Sequence, residues 1–300
     1  MHTISDIKKE YFGKIDPLDL DLILAHTLKK PREFVLAHPE HVIPELKIEN
    51  LKFKITRRRH DEPLAYILGY KEFFGHPFLV TPATLIPRPE TELMVEEALA
   101  EVISHQSSVT SVIDVGTGSG NIIISILKNL IIDSKFKIQN SKFFAIDISK
   151  DALRVAKRNA KKNNVEEKIK FLHGNLLEPI MKKLNRKSSA KSHHIIILAN
   201  LPYLSNKIYN STAPNVKKFE PKSALYSPKD GLDHYEKLFQ QIKLLQANET
   251  SKLTTLTAIL EISPEQKVPL KKMITKPFPK AKTFFKKDLA GRIRMAIISL

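Results

Sequence analysis

One segment of the chain reads Val112-Ile113-Asp114-Val115-Gly116-Thr117-Gly118-Ser119-Gly120, and an apolar run, Ile122–Leu127, follows it. Apolar residues before the glycines are typical of a buried strand, and the run after them is typical of a helix. Glycines at alternate positions let the backbone turn sharply and approach a ligand closely at the positively polarised start of that helix. The segment therefore predicts a strand, a ligand-binding loop and a helix in succession.

Strand and helix patterns alternate along the second half of the chain. The predicted strands are Ser111–Val115, Phe143–Ile146, Ile169–His173, Ile195–Ala199 and Leu256–Ile262, and the predicted helices are near Glu90–Val102, Asn121–Leu130, Lys150–Asn163, Gly231–Gln246 and Pro264–Ile274. Such alternation predicts a doubly wound, mostly parallel sheet with its ligand at the carboxyl ends of the strands. No helix separates Lys282–Lys286 from Met295–Leu300. We expect these two last strands to pair antiparallel, which makes seven strands.

The N-terminal region carries helix signals instead. Asp16 is a candidate N-cap before Pro17, and apolar residues follow at helical spacing, namely Leu18, Leu22, Ala25 and Leu28. Further helices are predicted at Arg32–Ala37 and Leu46–Arg59. We expect a helical bundle over residues 1–72, a β-hairpin linker over residues 73–89, where Gly, Pro and alternating apolar residues occur, and the α/β domain over residues 90–300.

Composition excludes several classes of site. The 300 residues contain no cysteine, so disulfides, thiolate catalysis and cysteine-ligated metals are excluded. The eleven histidines form no His-Glu-x-x-His pattern, and no metal site is predicted. Neither a signal-like N-terminus nor an uncharged apolar stretch of about 18 residues is present. We expect a cytoplasmic monomer without membrane contact.

The formal net charge is +17, and most basic residues are lysine. An acidic partner such as RNA would explain this charge, because lysine and arginine neutralise phosphates. Lysines spread over every surface helix would explain it equally well. The sequence leaves both interpretations open.

The glycine loop and the following strand together indicate a nucleoside cofactor. The next strand ends at Asp147, where a carboxylate can accept hydrogen bonds from both ribose hydroxyls. The glycine spacing is G-x-G-x-G, whereas a dinucleotide site has G-x-G-x-x-G, and Asp114 would suit a cationic sulfonium and oppose a pyrophosphate. S-adenosyl-L-methionine is therefore favoured over NAD. The predicted cofactor-binding residues are Asp114, Gly116, Thr117, Gly118, Ser119, Gly120, Asp147, Asn175, Leu176 and Asn200.

A polar tetrapeptide, Asn200-Leu201-Pro202-Tyr203, follows the strand that ends at Ala199. An amide or aniline-type nitrogen is a poor nucleophile because its lone pair is delocalised. Two acceptors, the Asn200 side-chain oxygen and the Leu201 carbonyl, would orient its N–H bonds and favour attack on a methyl group. Pro202 would stiffen the turn, and Tyr203 would offer an aromatic wall. The four residues predict catalysis of nitrogen methylation without a dedicated general base.

Several segments give the chain a resemblance to one family over nearly its whole length. They are Pro63–Gly69 with Glu72–Gly75, Leu85–Glu92, Asp114–Gly120 with Asp147, Phe219–Pro221 with Asp230–Leu232, and Asp288–Arg292. In these segments the chain resembles the PrmC/HemK family, the peptide-chain release factor glutamine N5-methyltransferases. The resemblance implies a class I, Rossmann-like methyltransferase fold behind a small all-α domain.

The resemblance also implies a substrate and the residues that bind it. The acceptor would be the glutamine of the Gly-Gly-Gln motif in class I release factors, the N-terminal bundle would help to hold the release factor, and the product would be S-adenosyl-L-homocysteine. The implied substrate-binding residues are Arg88, Glu90, Asn200, Leu201, Pro202, Tyr203, Glu220 and Pro221.

Three positions depart from the family pattern. Leu201 stands where the family usually has proline, Asn175 where it has aspartate, and Ser263 where it has glycine. Asn-Leu-Pro-Tyr is also typical of ribosomal RNA adenine N6-methyltransferases, although the helical N-terminus and the segment Leu85–Glu92 have no counterpart there. A ribosome-associated scaffold without catalytic activity is the third hypothesis.

Overall fold

The computed structural model describes residues 2–105, 109–132, 141–184, 193–248 and 254–300. Two compact units are present: Met1–Tyr70 with Ala213–Phe219, and Lys71–Thr212 with Glu220–Leu300. None of the helices in the described ranges is long and apolar enough to cross a membrane.

Short helices make up most of the first unit. Its helices are α1 Ile4–Glu10, α2 Pro17–Leu28, α3 Arg32–Ala37, α4 Glu45–Arg59, α5 Leu64–Leu68 and, much later in the chain, α11 Pro214–Phe219; two short strands, β1 His2–Thr3 and β2 Val42–Ile43, pair antiparallel. Apolar side chains from four of these helices form one core, including Ile7, Leu24, Val35 and Leu51.

Helix α2 shows how local chemistry sets an element boundary. The Asp16 carboxylate accepts hydrogen bonds from the backbone N–H of Leu18 at 2.8 Å and of Asp19 at 3.2 Å, and Pro17 occupies the first turn. The predicted N-cap is confirmed. Of the four apolar residues predicted at helical spacing, Ala25 and Leu28 are buried, whereas Leu18 is 48% exposed, and the buried face also carries Ile23 and Leu24. Leucine and isoleucine occur on both sides of this helix, so spacing alone could not select the face.

The remaining elements are the two strands of the hairpin and the elements that follow it. The strands are β3 Tyr70–Phe73, β4 His76–Leu79, β5 Val109–Val115, β6 Lys142–Asp147, β7 Ile169–His173, β8 His193–Ala199, β9 Thr254–Glu261, β10 Lys282–Lys287 and β11 Ile293–Ser299. The helices are α6 Glu92–Ser104, α7 Asn121–Ile132, α8 Lys150–Lys162, α9 Glu178–Leu184, α10 Asn206–Ser211, α12 Lys222–Leu225, α13 Asp233–Asn248 and α14 Lys267–Thr275. The predicted strands and helices of this region are confirmed, with small shifts in their bounds.

The hairpin differs from its predicted range of residues 73–89. Its strands are β3 and β4, and residues 80–88 lie in no strand. Phe74 and Gly75 both have positive φ, 50° and 71°, which is the backbone of a two-residue hairpin turn. The turn therefore lies where the prediction placed the start of the linker. Phe73 and Phe78 bury their rings on either side of this turn, with centroids 6.1 Å apart.

Seven strands form one sheet in the order β10-β11-β9-β8-β5-β6-β7. The pairs β9–β8, β8–β5, β5–β6 and β6–β7 are parallel, and β11 pairs antiparallel with both β9 and β10. The predicted Rossmann-like, mostly parallel seven-stranded fold is confirmed, as is its antiparallel end. Successive residues of β5 alternate between two apolar cores, Val112 in one and Ile113 in the other, so helices cover both faces.

The sheet topology places a crevice at one edge. Strand β5 has β6 on one side and β8 on the other, so the order of strands reverses there. Ligands of such sheets bind beyond the carboxyl ends of the strands at this reversal. The carboxyl ends of β5, β6, β7 and β8 carry the glycine loop, Asp147, Gly174 to Leu177, and the tetrapeptide that starts at Asn200.

Candidate active site

A cavity of about 270 Å³ lies at this edge of the sheet. Twelve of the predicted site residues line it, namely Arg88, Gly116, Thr117, Gly118, Ser119, Asp147, Asn175, Leu176, Asn200, Leu201, Pro202 and Pro221. The predicted residues outside its lining are Glu90, Asp114, Gly120, Tyr203 and Glu220. The structure thus brings together most of the residues that the motifs singled out.

The three glycines of the loop are required for different structural reasons. All three have positive φ, at 75°, 55° and 80°. A Cβ at Gly116 would lie 3.0 Å from Leu201 Cδ2, and a Cβ at Gly120 would lie 2.9 Å from Ile124 Cδ1. A Cβ at Gly118 would meet only the loop's own backbone, at 4.0 Å. Gly116 and Gly120 therefore permit close packing beneath the loop, while Gly118 leaves the cavity side of the loop open.

Asp147 is an almost buried carboxylate at the end of β6. One of its oxygens accepts a hydrogen bond from Gly118 N at 2.9 Å and the other from Ser149 N at 2.8 Å. Burial raises the pKa of Asp147, while these backbone N–H groups oppose the shift. Each carboxylate oxygen has two lone pairs, so Asp147 can accept two further hydrogen bonds from a diol in the cavity.

Asp114 lies beneath the glycine loop, with no exposed surface. It accepts a hydrogen bond from Thr117 Oγ1 at 2.6 Å and does not reach the lining of the cavity. Burial raises the pKa of Asp114 to about 7, and the Thr117 hydrogen bond opposes that rise. A direct contact between this carboxyl group and a ligand remains a prediction.

The side-chain amide of Asn200 is held in one orientation. Its Nδ2 donates to Thr91 Oγ1 at 3.2 Å and to Glu261 Oε2 at 3.0 Å. These two acceptors lie only 2.6 Å apart and share one N–H of the amide, which assigns the amide nitrogen to the protein side. The Asn200 oxygen is left as an acceptor for a group in the cavity.

Glu261, the last residue of β9, is the centre of this network. It is 3% exposed; its Oε2 also accepts from Thr91 Oγ1 at 2.6 Å, and its Oε1 accepts from the Tyr203 hydroxyl at 3.2 Å. Burial raises the pKa of Glu261, while the hydrogen bonds from Thr91 and Tyr203 oppose the shift. Sequence reasoning missed its role, although an acidic residue directly after the apolar run Ala258–Leu260 was the available signal.

Tyr203 is directed away from the cavity. Its side chain packs against the core on one face of the sheet, and its hydroxyl bonds to Glu261. Burial and the charge of Glu261 raise the pKa of Tyr203, so it stays a neutral donor. Its carbonyl accepts from Gln266 Nε2 at 3.0 Å, and a Cβ at Gly231 would lie 2.1 Å from that carbonyl. The expected aromatic wall is therefore absent from the described lining, and Tyr203 acts as a support for Glu261.

Arg88 and Glu220 form an ion pair beside the cavity. Arg88 Nη2 lies 2.5 Å from Glu220 Oε1, and Glu220 Oε2 accepts from Ile86 N at 3.1 Å. Only Arg88 of this pair lines the cavity, together with Pro221, while Glu90 is exposed outside it. Glu220 thus fixes Arg88 from outside the lining of the cavity, and its own contact with a substrate remains a prediction.

Comparison with known proteins places this site in a family. The model of the PrmC N-terminal domain matches residues 11–69, and that of a methyltransferase domain matches residues 106–266. A release factor glutamine methyltransferase of Enterococcus faecalis is 33% identical over 87% of this chain and 84% of its own length. One of Clostridium botulinum is 31% identical over 96% of this chain and 93% of its own.

The chain belongs to the release factor glutamine methyltransferase family. The solved hMettl16 catalytic domain in complex with a MAT2A 3'UTR hairpin has a TM-score of 0.52, with 16% identity over 85% of this chain and 81% of its own. That likeness concerns the fold alone. The family makes this chain an S-adenosylmethionine-dependent protein methyltransferase, so the predicted cofactor is confirmed.

The residues around the cavity fit this cofactor. Asp147 offers two carboxylate oxygens to the ribose hydroxyls, and Leu176 and Ile148 offer apolar surface to an adenine ring. Ile148 is 67% exposed, which a bound ring would explain, and sequence reasoning did not find it. Asn175 Nδ2 donates to Glu178 Oε1 at 3.2 Å, so its oxygen can accept from the adenine amino group.

Two of the family departures have a structural account. Leu201 is 4% exposed and packs under Gly116, so its side chain belongs to the core below the loop. Ser263 has φ of −82°, where no glycine is needed, and its backbone N–H donates to Gln266 Oε1 at 3.0 Å. The third departure, Asn175, has a neutral amide oxygen as acceptor where the family's aspartate has a charged carboxylate oxygen.

Asp114 supplies a test of the site's electrostatics. The carboxyl pKa is about 7 in the folded protein against a reference value of 3.8, so between these pH values the folded state holds a proton that the unfolded state has lost. Stability from this group is full below about pH 4 and falls as pH rises to about 7. Asp114→Asn removes this loss and keeps an acceptor for Thr117.

We expect the ligand-free Asp114→Asn variant to gain stability over the native protein as pH rises from about 4 to 8, by up to about 4 kcal/mol at about 1.36 kcal/mol per pKa unit. Urea unfolding of both proteins across this range measures the difference. Parallel pH profiles for the two proteins would contradict the assignment.

Proposed function

We propose that this enzyme methylates the side-chain amide nitrogen, N5, of the glutamine in the Gly-Gly-Gln motif of class I release factors. The observation that carries the proposal is the orientation of Asn200, whose amide nitrogen is bound by Thr91 and Glu261 while its oxygen is left for the cavity. The names of the relatives, release factor glutamine methyltransferase, support the choice of substrate.

The chain's own residues would act by positioning. Asn200 Oδ1 accepts one N–H of the substrate amide, and the Leu201 carbonyl accepts the other, so the amide plane is fixed. These acceptors increase electron density on the nitrogen and favour the transition state, in which that nitrogen gains positive charge. The cofactor, when bound, supplies an electrophilic methyl group.

Proton removal needs no dedicated base in this account. The nitrogen–carbon bond forms as the sulfur–carbon bond breaks, and the methylated amide nitrogen then loses a proton to water. Tyr203 is unsuited to this step, because its hydroxyl proton is bound to Glu261 and its pKa is raised. The ring of Pro202 fixes its φ angle and so restricts the backbone conformation of the turn that carries both acceptors.

Substrate contacts beyond the glutamine are proposed for Arg88 and Pro221. The Arg88 guanidinium lines the cavity and has donors beyond the one bonded to Glu220, so it can bind a backbone carbonyl of the substrate loop. Glu220 acts through Arg88. A substrate contact by Glu90 stays a prediction. The side chain is exposed at the start of the helical segment, so a substrate can reach it.

The first compact unit is proposed to bind the body of the release factor. This unit includes Ala213–Phe219, which follows the tetrapeptide closely in sequence and directly precedes Glu220. One short stretch of chain therefore connects the proposed catalytic residues, a helix of the first unit and the ion pair with Arg88. Such continuity would link recognition of the release factor to the site.

We expect the enzyme to work as a cytoplasmic monomer.

The main test is methyl transfer from labelled cofactor, with purified class I release factor and ribosomal RNA as alternative acceptors. We expect label in the release factor, and no label when its glutamine is replaced by alanine. Asn200→Ala should lower turnover at least about 100-fold with little change in cofactor affinity, because positioning is abolished while the nucleoside-binding residues remain.

Asn175→Ala serves as the contrasting variant in this test. It should weaken cofactor binding and leave turnover at saturating cofactor close to normal. Label in RNA alone would overturn the substrate proposal, and near-normal turnover of Asn200→Ala would refute its role.

A weak contact with RNA is proposed for one basic surface. Residues 266–287, which include α14 and β10, contain eight lysines and no aspartate or glutamate, nearly half of the net charge of +17. All eight lysines are exposed, and the aromatic ring of Phe284 is 59% exposed among them. Such a surface suits a phosphate backbone.

Replacement of Lys271, Lys272 and Lys276 by alanine should weaken RNA binding. It should also make the slope of log affinity against log salt concentration shallower, by about 0.7–0.9 for each phosphate that is no longer neutralised. The matched control replaces Lys157, Lys161 and Lys162 of α8, which are also exposed. Filter binding at several salt concentrations measures both variants. An equal decrease in affinity for the two would assign the binding to net charge alone.

A further inference from the structure

A cluster of three metal-binding side chains lies away from the cavity. Glu101 and His105 are on the last turn of α6 and just after it, and His194 is near the start of β8. Strand β8 reaches the cofactor cavity only at its other end, after Ala199. The cluster is therefore at the opposite edge of the sheet and is not used by the methyl transfer.

The distances within the cluster are those of a coordination site. His194 Nε2 lies 3.1 Å from Glu101 Oε1, and His105 Nδ1 lies 3.6 Å from the same oxygen. One candidate ligand atom from each residue lies within 4.8 Å of the other two. Ligand atoms bound at about 2.0–2.1 Å to a tetrahedral zinc ion lie about 3.4 Å apart. Two of the three separations already have this value to within a few tenths of an ångström.

Neighbouring threonines hold two of the three side chains. His194 Nδ1 lies 2.6 Å from Thr255 Oγ1, and Thr257 Oγ1 donates to Glu101 Oε1 at 2.6 Å. A metal-bound histidine commonly has its second ring nitrogen fixed by such a partner, and a ligating carboxylate is commonly hydrogen-bonded as well. These contacts direct His194 Nε2 toward the centre of the cluster.

The ligand types also suit a metal. His194 is 2% exposed, so its imidazole lies away from water. A neutral imidazole keeps the lone pair that a metal requires, and the Glu101 carboxylate supplies negative charge. Imidazole and carboxylate ligands together suit zinc and its neighbours better than magnesium, which prefers oxygen ligands.

We propose that Glu101, His105 and His194 bind a divalent transition metal of the zinc type, with water as a fourth ligand. The rings of His105 and His194 are stacked at 4.3 Å, so the two lone pairs converge only after His105 turns. The His105 side chain is 43% exposed at the end of its helix, which leaves room for that rotation. The bound ion would join α6 to β8 and stabilise the methyltransferase fold.

The test uses tag-free full-length protein, because a histidine tag would bind the same metals. We expect Zn²⁺, but not Mg²⁺, to raise the thermal unfolding midpoint by several degrees, since a ligand of the folded state stabilises it. Co²⁺ should give the visible absorption of a tetrahedral site. Cysteine is absent from the chain, so no thiolate can contribute to that spectrum.

His105→Gln and Glu101→Gln should each lower Co²⁺ affinity at least about tenfold. The matched control is His60→Gln, because His60 and His105 each directly follow a helix: His105 Nδ1 contacts the Glu101 carbonyl at 3.2 Å, and His60 Nδ1 contacts the Thr56 carbonyl at 2.8 Å. It has no Glu101 equivalent, since position 56 is threonine. Equal Co²⁺ affinity in the His60 and His105 variants, or no thermal shift with Zn²⁺, would overturn the proposal.

Discussion

A buried carboxylate is the constraint on which the proposed site depends. Glu261 is surrounded by three donors from two other parts of the chain: the Thr91 hydroxyl before α6, and the Asn200 amide and Tyr203 hydroxyl of the tetrapeptide after β8. A buried carboxylate without such donors would be strongly unfavourable, so the arrangement of these groups is tightly determined. The network binds the Asn200 amide nitrogen, so the oxygen is the atom of this side chain that is left as an acceptor at the cavity that Asn200 lines.

The glycine loop and the tetrapeptide are connected by packing as well as by proximity. The Leu201 side chain lies directly under Gly116. The backbone of the loop can approach it this closely because residue 116 has no side chain. The same packing explains why leucine is accepted at position 201: its side chain enters the core, and its carbonyl remains part of the turn. In the proposed mechanism the functional group of residue 201 is its backbone carbonyl. The type of side chain at this position affects only the packing under the loop.

The fold was largely predictable from the sequence, and the site only in part. Alternation of apolar strands and amphipathic helices indicated the sheet, and motif positions at strand ends indicated Asp147 and Asn200. Side-chain direction was not predictable, because burial of Asp114 and of Tyr203 depends on neighbours far away in the sequence. Glu261 was missed for the same reason: its partners are 58 or more residues distant and come together only after folding.

The most direct measurement is the rate of methyl transfer by the Glu261→Gln variant. Glutamine has one acceptor oxygen where glutamate has two and carries no negative charge, so Tyr203 would lose its acceptor even if Asn200 and Thr91 keep theirs, and the bonds from Asn200 and Thr91 would weaken, which loosens the orientation of the Asn200 amide. The account predicts a fall in kcat of at least about tenfold at saturating substrates, with cofactor affinity within about twofold of normal. An unchanged kcat, in a variant that folds and binds cofactor normally, would contradict it.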